Sequence, residues 1–167
     1  QTPAREPIER RDQVINWTKD LGRTIDYLET RNDFDTEKIA YYGFSGGAMY
    51  GPVFTTVDPR FKANIFLGGG LPPIGIRPEM NLVNFAPRSR VPTLMINGVD
   101  DFILPYDHSQ KPLFDLLGAP PEDKRHARLE GGHIPSNRLD MIKEVFDWLD
   151  RYLGPVQTGS SSVASRQ

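Results

Sequence analysis

Three groups in this chain are of the types needed for nucleophilic attack on a carbonyl: a serine set among glycines, an acidic pair, and a histidine in a glycine-rich loop. The serine lies in Gly43-Phe44-Ser45-Gly46-Gly47, after the apolar run Ile39-Ala40-Tyr41-Tyr42 and before a helix-compatible stretch. A strand that turns straight into a helix through this pattern holds its serine hydroxyl out on a sharp bend. Strand and helix backbones crowd together there, so Gly43 and Gly47 are expected as structural residues of the elbow, and a larger residue at either should close the turn. Ser45 also has a plainer reading, as the N-cap of the helix that follows.

A serine hydroxyl is a poor nucleophile near neutral pH and needs a base. His133, in Gly131-Gly132-His133 ahead of an amphipathic helix, could take the proton during attack and return it to the leaving group. Its plainer reading is a loop histidine satisfied by backbone. The acidic pair Asp100-Asp101 follows Gly98 and the strand-like Val91–Asn97, and one of the two would hold the imidazole in its working tautomer. The other is a turn aspartate bonding nearby backbone, a description that suits Asp100. The backbone N–H of Gly46 would supply one oxyanion-hole donor. His108, near a helix start, and His126, at a strand start, are expected at the surface.

The order serine, aspartate, histidine is that of the α/β-hydrolases. Gly98-Val99-Asp100-Asp101-Phe102-Ile103-Leu104-Pro105 resembles the acid loop of their dienelactone hydrolase and prolyl oligopeptidase-like branch. The acid of that loop stands three residues after the glycine and four before the proline, which here is Asp101. Glu130-Gly131-Gly132-His133 is similar to the branch's histidine loop, and Lys38–Ser45 to its elbow strand. Arg23–Arg31 and Pro112-Leu113-Phe114 further resemble hydrolase domains appended to some bacterial serine/threonine kinases. The resemblance runs from about Arg10 to Leu153. It implies a serine esterase with Ser45 as nucleophile, His133 as base and Asp101 as the orienting acid, acting on a small-molecule ester through an acyl-enzyme. Peptidase or thioesterase chemistry would use the same groups. The competing reading is a noncatalytic hydrolase-like domain that binds a ligand or serves regulation within a larger protein.

Positioning these groups calls for alternating strands and helices. Val14, Trp17, Leu21, Ile25 and Leu28 recur at helical spacing and predict a helix over about Arg11–Arg31. The elbow strand comes next, then its helix to Asp58-Pro59, and a strand over Ala63–Leu67 running into Gly68-Gly69-Gly70. That glycine run should let the chain leave the strand close to the active-site surface. Leu71–Arg90 is proline-rich and shows no helical period, so it reads as a long irregular connection. It either forms part of a substrate pocket or packs on the surface through Ile74, Leu82 and Phe85. A helix over Ser109–Leu117, a strand over Arg125–Glu130 and a last helix with Ile142, Val145, Phe146 and Leu149 on one face complete the domain.

The expected fold class is α/β, a parallel sheet with helices on both faces and about four readable strands. These match the C-terminal half of the resembled hydrolase domain, over residues 1–155, with 156–167 a disordered tail. Four parallel strands starting at the elbow would leave one apolar edge uncovered. An N-terminal hydrolase half, cleaved off or on another chain, is therefore expected as a partner.

Composition excludes several function classes. A net charge of −2 and a pI near 5.9 offer no basic footprint for nucleic acid. No apolar stretch is long enough for a membrane span, and the amino end does not read as a signal peptide, which leans toward a soluble, cytoplasmic protein. Without cysteine there is no disulfide or thiol chemistry, and three scattered histidines make no metal set, so neither metal nor cofactor is expected.

Overall fold

The computed structural model describes residues 7–72 and 77–156. Strands β1 (Ile39–Phe44), β2 (Phe61–Leu67), β3 (Thr93–Gly98) and β4 (Lys124–Leu129) form one sheet in the order β1-β2-β3-β4, parallel throughout. Right-handed crossovers between sequential parallel strands place their helices on one face. The connecting helices are α2 (Gly46–Val57), the short α3 (Leu82–Phe85) and α4 (Lys111–Leu116), and α1 (Pro7–Glu29) lies against α2. The opposite face needs its own cover, which α5 (Arg138–Leu153) provides over β2, β3 and β4. This is the expected sheet with helices on both faces.

Two apolar cores follow from the two faces. Val14, Ile25, Tyr41, Phe54, Phe66, Met95 and Leu113 belong to the cluster shared by α1, α2, α4 and the sheet. Ile65, Leu67, Leu94 and Ile96 meet Trp148 beneath α5. Residues 64–67 and 93–98 are buried on both faces, which is why those strands read as continuous runs rather than alternating ones.

Several expectations are corrected. α1 begins at Pro7, four residues before Arg11; proline suits a first helical position because its missing N–H needs no acceptor there. The connection after β2 is not devoid of helix. Turns of 3₁₀ helix at Pro78–Met80 and Ala86–Arg88 flank α3 and bury Met80, Leu82 and Ala86, in pieces too short to leave a period in the sequence. Ile74 lies outside the described residues, as does the expected tail from 157 onward. The helix expected over Ser109–Leu117 divides into a wide π turn, Tyr106–Gln110, and α4. On α5, Val145 and Leu149 pack inward with Met141 and Trp148, whereas Ile142 and Phe146 remain 43% and 60% exposed. The apolar arc of α5 is wider than the sheet beneath it.

Candidate active site

All three candidate residues follow strands. Ser45 comes directly after β1, Asp101 shortly after β3 and His133 shortly after β4. Carboxyl ends of parallel strands share one edge of the sheet, so chain order alone brings the three to the same side. Ser45 sits at φ 50°, ψ −108°, the one non-glycine with positive φ among the described residues. Backbone of this kind costs about 1–3 kcal/mol and persists only where the surroundings over-determine it. Here the Ser45 N–H donates to Leu67 O (2.9 Å), Ser45 O accepts from Met49 N (2.8 Å), and Tyr41 Oη donates to Gly47 O (2.8 Å). Burial pushes the Tyr41 hydroxyl up to about 12, which keeps it a donor.

The two elbow glycines are not equivalent. A Cβ at Gly43 would stand 2.6 Å from the carbonyl carbon of Gly47, an overlap no side chain tolerates. A Cβ at Gly47 would meet only Tyr41 Oη, at 3.5 Å, which is ordinary contact. The strict steric requirement therefore falls on Gly43, and alanine fits at Gly47.

The plainer reading of Ser45 as a cap is not realised, since its side chain makes no capping bond to α2. The hydroxyl instead lies 2.8 Å from His133 Nε2, and His133 Nδ1 lies 2.8 Å from Asp101 Oδ2. The Asp101 side chain is wholly buried and that of His133 is 16% exposed. Asp101 Oδ1 accepts from the N–H groups of Ile103 (2.9 Å) and Leu104 (3.1 Å), which orients the carboxylate. An ionised carboxylate can only accept, so Nδ1 carries the ring proton and Nε2 is left as an acceptor for the serine O–H. Asp100 is exposed, and its N–H donates to Gly131 O (3.0 Å), tying the acid loop to the histidine loop. The Phe44 ring lies 5.5 Å from the imidazole.

Gly46 opens α2, so its N–H is among those at a helix start without an intrahelical acceptor. Two clefts adjoin the site. One of about 540 Å³ runs along the outer edge of β1, between α1 and α2, and touches Gly46 and Gly47. The other, about 250 Å³, lies between α2 and the acid loop, with Met49, Leu82, Ile103 and Leu104 among its walls. Among the described residues, no cluster of histidine, aspartate and glutamate is arranged to hold a metal, and no helix is long and apolar enough to cross a membrane.

His108 is exposed, as expected, but His126 is half-buried rather than a surface residue. It lies on β4 beneath the π turn and α4, its ring 5.9 Å from that of Tyr106 and 5.3 Å from that of Phe114. Burial first, and the charge of Arg128 second, push it down to about 4. Its Nε2 lies 3.0 Å from Oδ1 of Asn97, a fully buried residue near the end of β3 that the sequence reading did not single out. The available signal was a lone amide closing the apolar run Thr93–Asn97.

No protein-family model matches the chain, and no curated protein matches it. Solved structures do. A cold-adapted esterase from an Arctic intertidal metagenomic library is 24% identical with a TM-score of 0.64, covering 81% of this chain and 57% of its own. A candidate dienelactone hydrolase from Klebsiella pneumoniae gives 19% and 0.67 over 81% of this chain and 60% of its own. An acetyl xylan esterase from Paenibacillus gives 18% and 0.66 over 81% and 52%. The chain has the α/β-hydrolase fold, and it spans little more than half the length of these structures.

Proposed function

We propose that this chain carries the nucleophile, acid and base of a serine hydrolase that cleaves small-molecule carboxylic esters. The observation that carries the reading is the unbroken hydrogen-bonded run from Ser45 Oγ through His133 to Asp101, set on a strained serine at the carboxyl edge of the sheet. In the reaction Ser45 Oγ attacks the ester carbon while its proton passes to His133 Nε2. Asp101, desolvated and already accepting two backbone N–H groups, stabilises the imidazolium without taking its proton. The Gly46 N–H donates to the developing oxyanion. Collapse breaks the C–O bond to the alcohol, which leaves with the histidine's proton, and water repeats the sequence to release the acid and restore the serine. Esters are favoured over amides as substrates because the similar structures include esterases; the acyl-transfer machinery is common to both.

The edge of β1 supports a second element of the proposal, that further strands add there and complete the oxyanion hole and substrate pocket. Among the described residues both outer strands of the sheet have a free side, yet they differ in chemistry. β4 carries Lys124, Arg125 and Arg128, the charges that guard an edge against pairing. β1 reads Ile-Ala-Tyr-Tyr-Gly-Phe and has none, with Tyr42 51% and Phe44 42% exposed. The cleft of about 540 Å³ along this edge is accordingly read as the bed of adjoining chain rather than a substrate chamber.

The test is exposure of the 167-residue chain, and of any longer form of the same protein, to a fluorophosphonate, with intact mass and peptide mapping. An adduct on Ser45, absent in Ser45→Ala, is the expected result. Absence of an adduct in every form that carries the chain would overturn the proposal and favour the noncatalytic reading.

A further inference from the structure

Among the described residues three part-buried hydrogen bonds join an imidazole to another side chain; two make up the Ser45–His133–Asp101 run, and the third, His126 with Asn97, takes no part in the proposed proton transfer. Asn97 is fully buried and its amide is used at both ends. Its Nδ2 donates to Gly69 O (2.9 Å), which fixes Oδ1 as the atom facing His126. His126 Nε2–H therefore donates to Asn97 Oδ1 (3.0 Å). Gly69 belongs to the turn that leaves β2. Its neighbour Gly68 is held at φ +60° by an N–H bond to Ile96 O (2.8 Å) and lies directly against the imidazole of the active site. A Cβ at Gly68 would come 3.1 Å from both Cε1 and the carbonyl oxygen of His133. The same turn gives Leu67 O to the Ser45 N–H.

We propose that Asn97 is a positioning residue for the reaction: held by His126, it fixes the Gly68–Gly69 turn against which His133 is seated, and so sets the imidazole between Ser45 and Asp101. The proposal rests on the serine-hydrolase reading for its effect on turnover, but not for its effect on the His133 ring. The Asn97–Gly69 hydrogen bond is buried and the Asn97–His126 one part-buried, and breaking either on one side leaves a polar group without its partner, at a cost that rises with burial. Asn97→Leu keeps the approximate volume of the side chain and removes both polar ends, leaving Gly69 O and His126 Nε2–H without partners. His126→Phe removes only the donor to Asn97, whereas His126→Gln offers an amide donor in its place. Arg128, whose guanidinium lies 3.9 Å over the Tyr106 ring, and Asp115 are the charged groups whose fields act on His126, so the comparison is made at one pH above 7 where His126 stays neutral.

The chain has three histidines, so nitrogen-15 labelling of histidine gives a spectrum in which each imidazole is assigned by its own glutamine variant. In Asn97→Leu the His133 Nδ1–H signal should move toward that of a solvent-exposed imidazole. Labelling of Ser45 by a fluorophosphonate should slow tenfold or more, and kcat for a small activated ester should fall by the same factor with KM within twofold. His126→Phe should show a smaller change of the same kind, and His126→Gln should recover part of it. If Asn97→Leu does not fold, the His126→Phe and His126→Gln pair decides by the same signals. Unmoved His133 signals in a folded Asn97→Leu, or in His126→Phe where the first does not fold, would overturn the proposal. If no form of the protein that carries the wild-type chain is labelled or active, the serine-hydrolase reading fails while the His133 spectrum still decides the role of Asn97.

Discussion

At the scale of single residues, what sets Ser45 apart is where its backbone and its hydroxyl are held. A left-handed φ at a non-glycine is sustained by three hydrogen bonds at the elbow, and the hydroxyl is thereby aimed at His133 rather than at the helix start. Replacing Ser45 or His133 by alanine should lower ester turnover by three orders of magnitude or more, roughly the scale seen when one member of a cooperating set is lost. Asp101→Asn is expected to cost on the order of 10⁴ in kcat, since the amide can donate to Nδ1 and stabilise the wrong tautomer. Progress curves with an activated ester check both, on whichever form of the protein is active. The elbow glycines supply a sharper contrast. Gly43→Ala places a methyl 2.6 Å from the Gly47 carbonyl carbon and should lower the melting temperature by several degrees and abolish labelling of Ser45. Gly47→Ala meets only the Tyr41 hydroxyl at 3.5 Å and should stay within about 1 kcal/mol of the wild type. Equal losses in the two variants would mean that the elbow is shaped by something other than this contact.

At the scale of elements, the site is a set of loops locked to one another. Val99 N–H donates to Leu129 O and Asp100 N–H to Gly131 O, so the loop after β3 carries the loop after β4. Gly98 lies at their closest approach: a Cβ there would stand 1.8 Å from Gly132 O. Gly98→Ala must therefore push the histidine loop outward. The expected outcome is a folded protein whose Ser45 no longer reacts, read by circular dichroism beside labelling. His126 makes β4 and α4 sensitive to acid. Its imidazole is held to about 4 in the folded protein against 6.5 in the open chain, so between those values the unfolded state binds more protons. Stability should fall as pH drops from about 6.5 to about 4, by roughly 3 kcal/mol in all. His126→Gln should flatten that part of the urea-midpoint-against-pH curve, and an unchanged slope would mean that other groups carry it. These couplings also explain what could be read from sequence. Ser45 and His133 were legible because sharp turns demand glycine at fixed offsets, Asp101 through the resemblance of its loop, and β2 and β3 because strands buried on both faces read as nearly continuous apolar runs. The partial burial of His126 was not legible: β4 alternates, and only the π turn and α4 folded over it shield its ring. The inward face of α5 was ambiguous for a related reason, since Ile142 and Val145 are equally apolar and the sheet chooses between them.

At the scale of the whole molecule, the distribution of exposed apolar surface is lopsided. On the α5 side of the sheet, α5 covers β2 to β4, while Tyr42 and Phe44 of β1 stand half exposed and Leu139, Ile142 and Phe146 of α5 are 78%, 43% and 60% exposed. Apolar side chains of this size are costly to leave in water, at about 25 cal/mol for each Å² that could be buried. The proposed strand paired with β1 would meet the hydrogen-bonding demand of that edge and cover Tyr42 and Phe44 at the same time. The 167-residue chain studied alone should satisfy those demands with copies of itself and self-associate at micromolar concentrations by light scattering after gel filtration. Tyr42→Lys places a gatekeeping charge at mid-strand, where the side chain is already half exposed, and should shift the population toward monomer with little loss of helical content. A variant of the β4 edge, Arg125→Ala, should not alter association, although it removes the paired contact to Glu144 at 2.6 and 2.7 Å and lowers stability modestly. A wild-type chain that remains monomeric at high concentration and turns over ester as it stands would show that the β1 edge needs no partner, and that the oxyanion hole is completed from residues within the chain.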